Sequence, residues 1–206
     1  RLVLESQDGS AWAPADFSRD GTLLLVQNYV SSTESSVHLV DLSSGDRRVL
    51  AGGSGRQVRN YAVTIDPTAE GFYYVTDAGR EYTALVYQRF DNGATPELIT
   101  EGIDWDVTSV VFSEDGSRAA FTVNEGGLSA LYLLDPVTRT RERVTGLPTG
   151  VAGGLAFSPG GERLAMTLNT PKTPSDTFAL PLGPGPLEHG ELERWTYSEV
   201  GGLDSD

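Results

Sequence analysis

The chain has 206 residues, 38% of them hydrophobic, which is enough to bury a core either as one domain or as a piece of a larger one. Its 29 acidic and 15 basic residues give a net charge of −14, so we expect neither nucleic acid nor a membrane as a partner. Cysteine is absent, which excludes disulfides and thiolate chemistry, and no apolar run approaches the ~20 residues of a membrane-spanning helix.

The first predicted element is a short outer strand at residues 1–6, ahead of the first complete repeat. Its composition resembles that of the outer strands that end later repeats, such as residues 47–50. Because the fourth repeat has an outer strand of its own, we interpret residues 1–6 as the end of a preceding blade; closure of a ring onto the fourth repeat is the alternative. Residues 1–5 do not resemble a signal peptide, and we expect a cytoplasmic protein unless the whole protein carries one elsewhere.

The first complete repeat, residues 10–51, contains four predicted strands. Its inner strand ends in the turn SRDG at residues 18–21, where Ser can hydrogen-bond the backbone two residues on and Gly supplies a positive φ. The second strand is apolar on both faces, as a strand between neighbouring sheets should be. The predicted strands are 15–18, 22–29, 37–42 and 47–50.

Three further repeats, at residues 57–101, 105–146 and 150–197, follow the same order. Asn92-Gly93 joins two strands of the second repeat and is a strong hairpin signal. The longest connection, residues 183–190, is rich in Gly and Pro, which indicates a surface loop. The predicted strands are 61–65, 72–76, 84–90 and 97–100, then 109–113, 118–123, 130–135 and 141–145, then 155–158, 163–168, 177–182 and 193–196.

The same polar turn closes the inner strand of every repeat. Its last glycines, Gly21, Gly71, Gly116 and Gly161, lie 50, 45 and 45 residues apart. A period of this length is typical of propellers and repeat arrays. No long run of helical period interrupts it. The sequence therefore predicts an all-β fold: one partial β-propeller domain over residues 1–206, with about four four-stranded blades.

Five separated segments carry a more specific pattern: YVSSTES before LVDL within residues 29–42, TDAGREYTAL at 76–85, WDV at 105–107, VNEGG at 123–127 and RWTYSEVGGL at 194–203. In this order they resemble the propeller of the prolyl oligopeptidase family of serine peptidases, and above all its acylaminoacyl-peptidase and dipeptidyl-peptidase branch. The resemblance implies a propeller of seven or eight blades and an α/β-hydrolase domain after it. This chain has about four blades and no hydrolase sequence, so we interpret it as a propeller fragment.

The residues of the chain itself predict no catalytic, cofactor or metal site. A nucleophile elbow needs Gly-x-Ser-x-Gly, and GGSG at residues 52–55 has the wrong spacing. His38 lies in an alternating strand and His189 in a Gly/Pro-rich loop, with no Ser and Asp paired to either. Asp104 and Asp106 lack the further carboxylates of a calcium loop. We expect the chain alone to be inactive on peptidase substrates, although the resemblance implies a peptidase for the whole protein.

Three carboxylates, Glu34, Glu81 and Glu125, each fall in the connection between the second and third strands of successive repeats. Exposed acidic residues are expected anyway in so acidic a chain. The sharper interpretation is that these carboxylates face the hydrolase domain, where they attract a peptide N-terminus or pair with basic residues across the interface. The dipeptidyl-peptidase relatives hold the substrate amine with propeller glutamates, but those positions do not match this sequence residue by residue.

Two functions follow as hypotheses. The first is the non-catalytic propeller region of a prolyl-oligopeptidase-like serine peptidase, which gates access of short peptides to the hydrolase domain. The alternative is a free-standing propeller, similar to TolB or WD-repeat propellers, that binds a protein or peptide. The expected partners are the α/β-hydrolase domain and short peptides. An isolated arc of four blades would expose apolar faces on its first and last blades, so we also expect the fragment to self-associate.

Overall fold

The computed structural model describes residues 6, 9–53, 55, 57–91, 93–199 and 201–202. These residues form strands and connections without any helix, and the strands assemble into four antiparallel four-stranded sheets. The predicted all-β class is thereby confirmed. Residues 1–5 of the predicted outer strand, and Asn92 of the predicted Asn-Gly turn, lie outside the described residues.

Each sheet follows chain order and is one blade. Blade 1 contains β1 (Ala11–Phe17), β2 (Leu23–Ser31), β3 (Glu34–Asp41) and β4 (Arg47–Ala51). Blade 2 contains β5 (Asn60–Ile65), β6 (Gly71–Thr76), β7 (Ala84–Arg89) and β8 (Glu97–Leu98). Blade 3 contains β9 (Asp106–Phe112), β10 (Ala119–Glu125), β11 (Leu128–Leu134) and β12 (Arg141–Arg143). Blade 4 contains β13 (Val151–Phe157), β14 (Arg163–Asn169), β15 (Asp176–Pro181) and β16 (Glu193–Arg194).

The chain divides into two compact units, Arg1–Asp104 with blades 1 and 2, and Trp105–Asp206 with blades 3 and 4. In the first unit, one face of blade 1 packs against one face of blade 2. Burial of each large apolar side chain contributes about 1.5–3 kcal/mol, so this shared core holds the two sheets together. The core residues are Leu25, Val37 and Leu39 of blade 1 and Ile65, Phe72, Tyr74 and Val86 of blade 2.

In the second unit, the large apolar side chains of β14 and β15 face blade 3. On β14 they alternate with Arg163, Ala165 and Thr167, of which Arg163 and Thr167 are exposed. Strand alternation thus directs the large apolar side chains of β14 to the face that contacts blade 3. The core residues are Ala120, Leu131, Leu133 and Val144 of blade 3 and Leu164, Met166, Leu168, Phe178 and Leu180 of blade 4.

The repeated turn is closed by a glycine at positive φ, as predicted, but its serine bonds the side chain two residues on and the backbone five residues on, not the backbone two residues on. In blade 1 the Ser18 hydroxyl donates to Asp20 Oδ1 (2.6 Å) and accepts from the amide of Leu23 (2.9 Å). The amide of Gly21, at φ 70°, donates to the Ser18 carbonyl (2.8 Å). The turns after β9 and β13 repeat this backbone bond, with Gly116 and Gly161 at φ 65° and 68°.

Blade 2 corrects the predicted repeat. Its turn is closed by Ala69, at φ 55°, whose amide donates to the carbonyl of Asp66 (2.9 Å). Gly71, which the sequence indicated as the closing glycine, is instead the first residue of β6. It is packed under Tyr87, since a Cβ at position 71 would lie 2.6 Å from the Tyr87 hydroxyl oxygen. Gly71 is therefore required because Tyr87 packs directly against its backbone, and not because the turn needs a glycine there.

All four inner strands begin earlier than predicted, and two of them include residues that usually disfavour a strand. β1 extends through Pro14, which is tolerated because β1 is the edge strand of its sheet and needs no amide donor on its free side. β13 begins at Val151 instead of residue 155 and extends through Gly153 and Gly154. Both strands are irregular at these points, with register shifts between Pro14 and Asp16 and between Gly153 and Ala156. These are β-bulges, which periodicity alone does not predict.

The predicted surface loop at residues 183–190 is tied to blade 3. Arg118, in the turn after β9, donates to the carbonyls of Gly183 (2.6 Å), Pro184 (3.1 Å) and Gly185 (2.7 Å). One guanidinium thus fixes three consecutive peptide groups. The loop follows the turn of the neighbouring blade instead of extending into solvent.

Candidate functional site

The second-to-third-strand connection of a blade lies beside the chain that enters the next blade. We call this side of a blade its hairpin end. In the first unit, the amide of Ser35 donates to the carbonyl of Val58 (3.1 Å), and the amide of Asn60 donates to the Ser35 hydroxyl (2.8 Å). The Thr76 hydroxyl donates to Asn60 Oδ1 (2.8 Å), so the hairpin ends of blades 1 and 2 are joined.

Two of the three predicted carboxylates lie at the hairpin ends of the first unit. Glu34 is the half-buried first residue of β3, next to Ser35. Glu81 is exposed in the connection between β6 and β7, as predicted. It lines a cavity of about 400 Å³ together with Arg80 and Asp104. This cavity therefore carries two carboxylates and one guanidinium, a polar site that suits a cationic group.

The third predicted carboxylate, Glu125, is the last residue of β10, at the hairpin end of blade 3 in the second unit. Arg143 binds it with both terminal nitrogens, each 2.8 Å from a carboxylate oxygen. These hydrogen bonds raise the pKa of Arg143. The charge of Glu125 is thus balanced within its own blade. Of the three carboxylates, Glu81 is the one best placed to meet a ligand.

In the second unit, blades 3 and 4 are joined by the same hydrogen bonds that join blades 1 and 2, with a serine at the start of the third strand. We call each such set of hydrogen bonds a junction. The amide of Ser129 donates to the Gly150 carbonyl (2.9 Å), and the amide of Ala152 donates to the Ser129 hydroxyl (2.9 Å). In blade 4 a carboxylate replaces the serine. The amide of Ser198 donates to Asp176 Oδ1 (2.8 Å) at the first residue of β15.

Asp176 is a buried carboxylate that accepts four hydrogen bonds, and sequence reasoning missed it. Its side chain has no exposed surface and accepts from Arg194 Nη2 (2.6 Å), the Thr196 hydroxyl (3.0 Å) and the Ser198 hydroxyl (2.9 Å). Burial by itself raises the pKa of Asp176, but the hydrogen bonds from Arg194, Ser198 and Thr196 outweigh it and lower the pKa to about 2. The sequence feature that could have indicated this cluster is the polar segment RWTYS at residues 194–198, which supplies all of these donors.

His38 has a serine partner that the sequence analysis did not find. Its Nε2 lies 2.8 Å from the Ser36 hydroxyl, and both residues are buried on one face of β3. The His38 ring packs against Trp12, with centroids 4.7 Å apart. Nδ1 of His38 and Nε1 of Trp12 are buried without a hydrogen-bond partner in the described part of the chain. No carboxylate orients the imidazole, so this pair lacks the third member of a nucleophile–base–acid arrangement.

The burial of His38 predicts a pH-dependent stability. Burial, with a smaller effect of Arg47, lowers the pKa of His38 from 6.5 to about 4. Between these values the unfolded chain binds a proton that the folded chain does not, so stability decreases as pH falls from about 6.5 to 4. We expect a loss of about 1–3 kcal/mol across this window. Urea unfolding at several pH values should give a flatter profile for His38→Gln; a profile parallel to that of the unmodified chain would contradict the assignment.

Of the other residues that the sequence analysis considered, Asp104 lines the cavity beside Glu81, and His189 does not. Within the described ranges, no group of three or more His, Cys, Asp or Glu side chains is placed to hold a metal ion. The same ranges contain no helix of the length and apolarity that a bilayer crossing requires. The side chains of Trp105 and Trp195 are 40% and 53% exposed.

Comparison with solved structures identifies the fold. Prolyl oligopeptidase B from Galerina marginata has a TM-score of 0.76 and 14% identity, over 100% of this chain and 29% of that chain. A prolyl endopeptidase structure has a TM-score of 0.75 and 17% identity, over 95% of this chain and 27% of that one. Putative TolB from Agrobacterium tumefaciens has a TM-score of 0.64 and 18% identity, over 96% of this chain and 65% of that chain. No protein-family model matches the sequence.

These similarities confirm the propeller fold that the resemblance to the prolyl oligopeptidase family implies. At identities of 14–18% they establish the fold alone. The chain spans 27%, 29% and 65% of the three proteins compared. It therefore corresponds to a part of each of them.

Proposed function

We propose that this chain is the non-catalytic propeller region of a prolyl-oligopeptidase-like serine peptidase and that it gates the access of short peptides to an α/β-hydrolase domain. One observation carries the proposal: the hairpin end of blade 2 has a cavity of about 400 Å³ with Glu81 and Asp104 at its wall. Two carboxylates beside such a cavity attract the ammonium group of a peptide N-terminus. A cytoplasmic location belongs to the same proposal.

The similarity to peptidase propellers supports this choice. Galerina marginata prolyl oligopeptidase B has been captured with 35mer and 25mer substrates, and the corresponding part of that enzyme has the fold of this chain. The five sequence segments that resemble the family extend over both units. The first check is the coding sequence after residue 206, where we expect Gly-x-Ser-x-Gly, then Asp, then His.

Kinetics of the whole protein test the role of the carboxylates. We expect Glu81→Gln to raise KM for peptides with a free N-terminus by roughly twofold to fivefold at unchanged kcat, because an exposed charge pair is worth up to about 1 kcal/mol. Peptides with an acylated N-terminus should be unaffected. Glu125→Gln should have a smaller effect, because Arg143 already balances Glu125.

Glu97→Gln and Glu142→Gln are the matched controls, since both residues are exposed on or beside outer strands of blades 2 and 3. Both controls should leave KM unchanged. Equal KM values for Glu81→Gln and the controls would refute the proposed role of the hairpin end.

A free-standing propeller is the second candidate, favoured by one observation. This chain spans 65% of the putative TolB of Agrobacterium tumefaciens, a much larger share than of either peptidase compared. In that case the chain binds a protein or peptide with no hydrolase domain involved. A stop codon shortly after residue 206, instead of the peptidase motifs, would decide for this candidate.

A further inference from the structure

The cavity of about 400 Å³ at the hairpin end of blade 2 has two walls from separate parts of the chain. One wall is formed by residues 80–82, between β6 and β7, and the other by residues 100 and 102–104, after β8. Ala84 and Leu98, in β7 and β8, line the cavity between these walls. All of these residues belong to the first unit. A cavity of this size holds one or two residues of a peptide.

Hydrogen bonds to the backbone hold both walls in place. In the first wall, the amide of Arg80 donates to the Asp77 carbonyl (3.0 Å). In the second, the amide of Ile103 donates to the Thr100 carbonyl (3.0 Å). The Thr100 hydroxyl accepts from the amide of Leu85 in β7 (3.1 Å), which attaches the second wall to the sheet. The cavity is therefore largely formed before a ligand arrives, and this reduces the entropy cost of binding.

Three charged side chains of both signs line the cavity, namely Arg80, Glu81 and Asp104. All three residues are exposed, and none of their side chains makes an ion pair or a hydrogen bond within the described part of the chain. By contrast, Arg59 and Arg89 of the same unit are ion-paired. The guanidinium group of Arg80 and the two carboxylates thus all keep their charges available to a ligand.

We propose that this cavity binds a peptide end in which an ammonium group and a carboxylate lie within two residues of each other. The N-terminal ammonium group lies at Glu81 and Asp104, and the ligand carboxylate pairs with Arg80, whose guanidinium group suits a carboxylate because it offers two parallel donors. That carboxylate is either an acidic side chain at the second residue or the C-terminus of a dipeptide. The inference rests on the proposed function, which supplies the amine site, and adds a preference among peptides.

The overall charge of the chain makes such a preference diagnostic. A chain of net charge −14 repels carboxylates in general, so an acidic peptide gains affinity only where a local cation outweighs this repulsion. Among the described residues, Arg80 is the one cation that lines this cavity. A preference for acidic peptides at this cavity is therefore attributable to Arg80.

Two pairs of peptides with a free N-terminus, each pair differing in one carboxylate, test the proposal. Ala-Glu-Ala amide is compared with Ala-Gln-Ala amide, and Ala-Ala with Ala-Ala amide, by NMR titration of the full 206-residue chain at low salt. We expect the acidic member to bind about threefold more tightly, a ratio that decreases as salt is raised. The largest amide shifts should fall at residues 80–84 and 100–104. A preference in either pair supports the site and identifies the source of the carboxylate.

Substitutions of arginine locate the cation. Arg80→Gln should bring the ratio to about one, and Arg80→Lys should retain most of it because the charge remains. Neither substitution removes a side-chain contact that stabilises the fold. Arg89→Gln is the matched control, since it changes the net charge equally in the same blade but replaces a side chain already paired with Glu70 and Asp91. The control should leave the ratio unchanged.

Equal binding within both pairs, or a ratio that persists in Arg80→Gln, overturns this inference. Acetylation of the peptide N-terminus judges the proposed function separately. If acetylation weakens binding while both pairs bind equally, the inference fails and the proposed amine site stands. If acetylation has no effect while the ratio depends on Arg80, the pairing with Arg80 stands and the amine site fails.

Discussion

Replacing Asp176 with asparagine is expected to lower the midpoint of thermal unfolding by roughly 10 °C, because removal of one partner leaves the other buried charge uncompensated. The partner is Arg194, whose side chain is 20% exposed. Circular dichroism at pH 7 measures the shift. The matched control is Glu193→Gln, whose ion pair with Arg163 is 46% exposed on both sides and should shift the midpoint by at most about 2 °C.

The same substitution should change the response to acid. The pKa of Asp176 is about 2 in the folded chain and about 3.9 in an unfolded one, so its contribution to stability is complete above about pH 5 and is lost between pH 5 and 2. Asp176→Asn removes this loss, and its unfolding midpoint should depend less on pH in that window. Equal acid sensitivity of the variant and the unmodified chain would contradict the assignment.

Gly52→Ala is expected to destabilise the first unit by about 3 kcal/mol, since it combines backbone strain with overpacking. Gly52 has φ 77°, and a Cβ there would lie 2.5 Å from the Ser35 carbonyl oxygen and 2.6 Å from Asn60 Nδ2. Both atoms belong to the junction between blades 1 and 2. The substitution therefore acts where the two sheets are joined.

Gly21→Ala separates the effect of backbone strain from that of overpacking. Gly21 has φ 70°, but no atom lies within 4 Å of the Cβ position, so only the backbone strain of about 1 kcal/mol remains. Urea unfolding measures both variants. Equal losses for the two substitutions would show that the crowding at Gly52 relaxes without cost.

Strand order and blade number were predictable because they depend on local patterns. The turn around Ser18 and the apolar run at residues 23–26 each carry their own signal, so the four sheets could be derived from periodicity and turn residues. The errors arose where a local signal has more than one meaning. The first inner strand was predicted to begin at residue 15, yet it includes Pro14. Gly71 was predicted to close a turn, yet it lies in β6, where the lack of a side chain lets Tyr87 pack against its backbone.

The candidate site was predictable only in part. The positions of Glu34, Glu81 and Glu125 at hairpin ends follow from strand order alone. Their different surroundings do not, because the pairing of Glu125 with Arg143 depends on the register of two strands. The partners of Asp176 lie 18 to 22 positions after it, and the polar RWTYS segment that contains them does not indicate which carboxylate they bind.

The junctions at Ser35, Ser129 and Asp176 also determine how the chain responds to mechanical load. Each residue lies at the start of a third strand and holds the backbone of the segment that follows its blade. A pull on the chain beyond Ser198 therefore reaches β15, in the middle of blade 4, without first peeling away the short outer strand β16. The load then passes from β15 to β14, with which β15 pairs from Asp176 to Pro181.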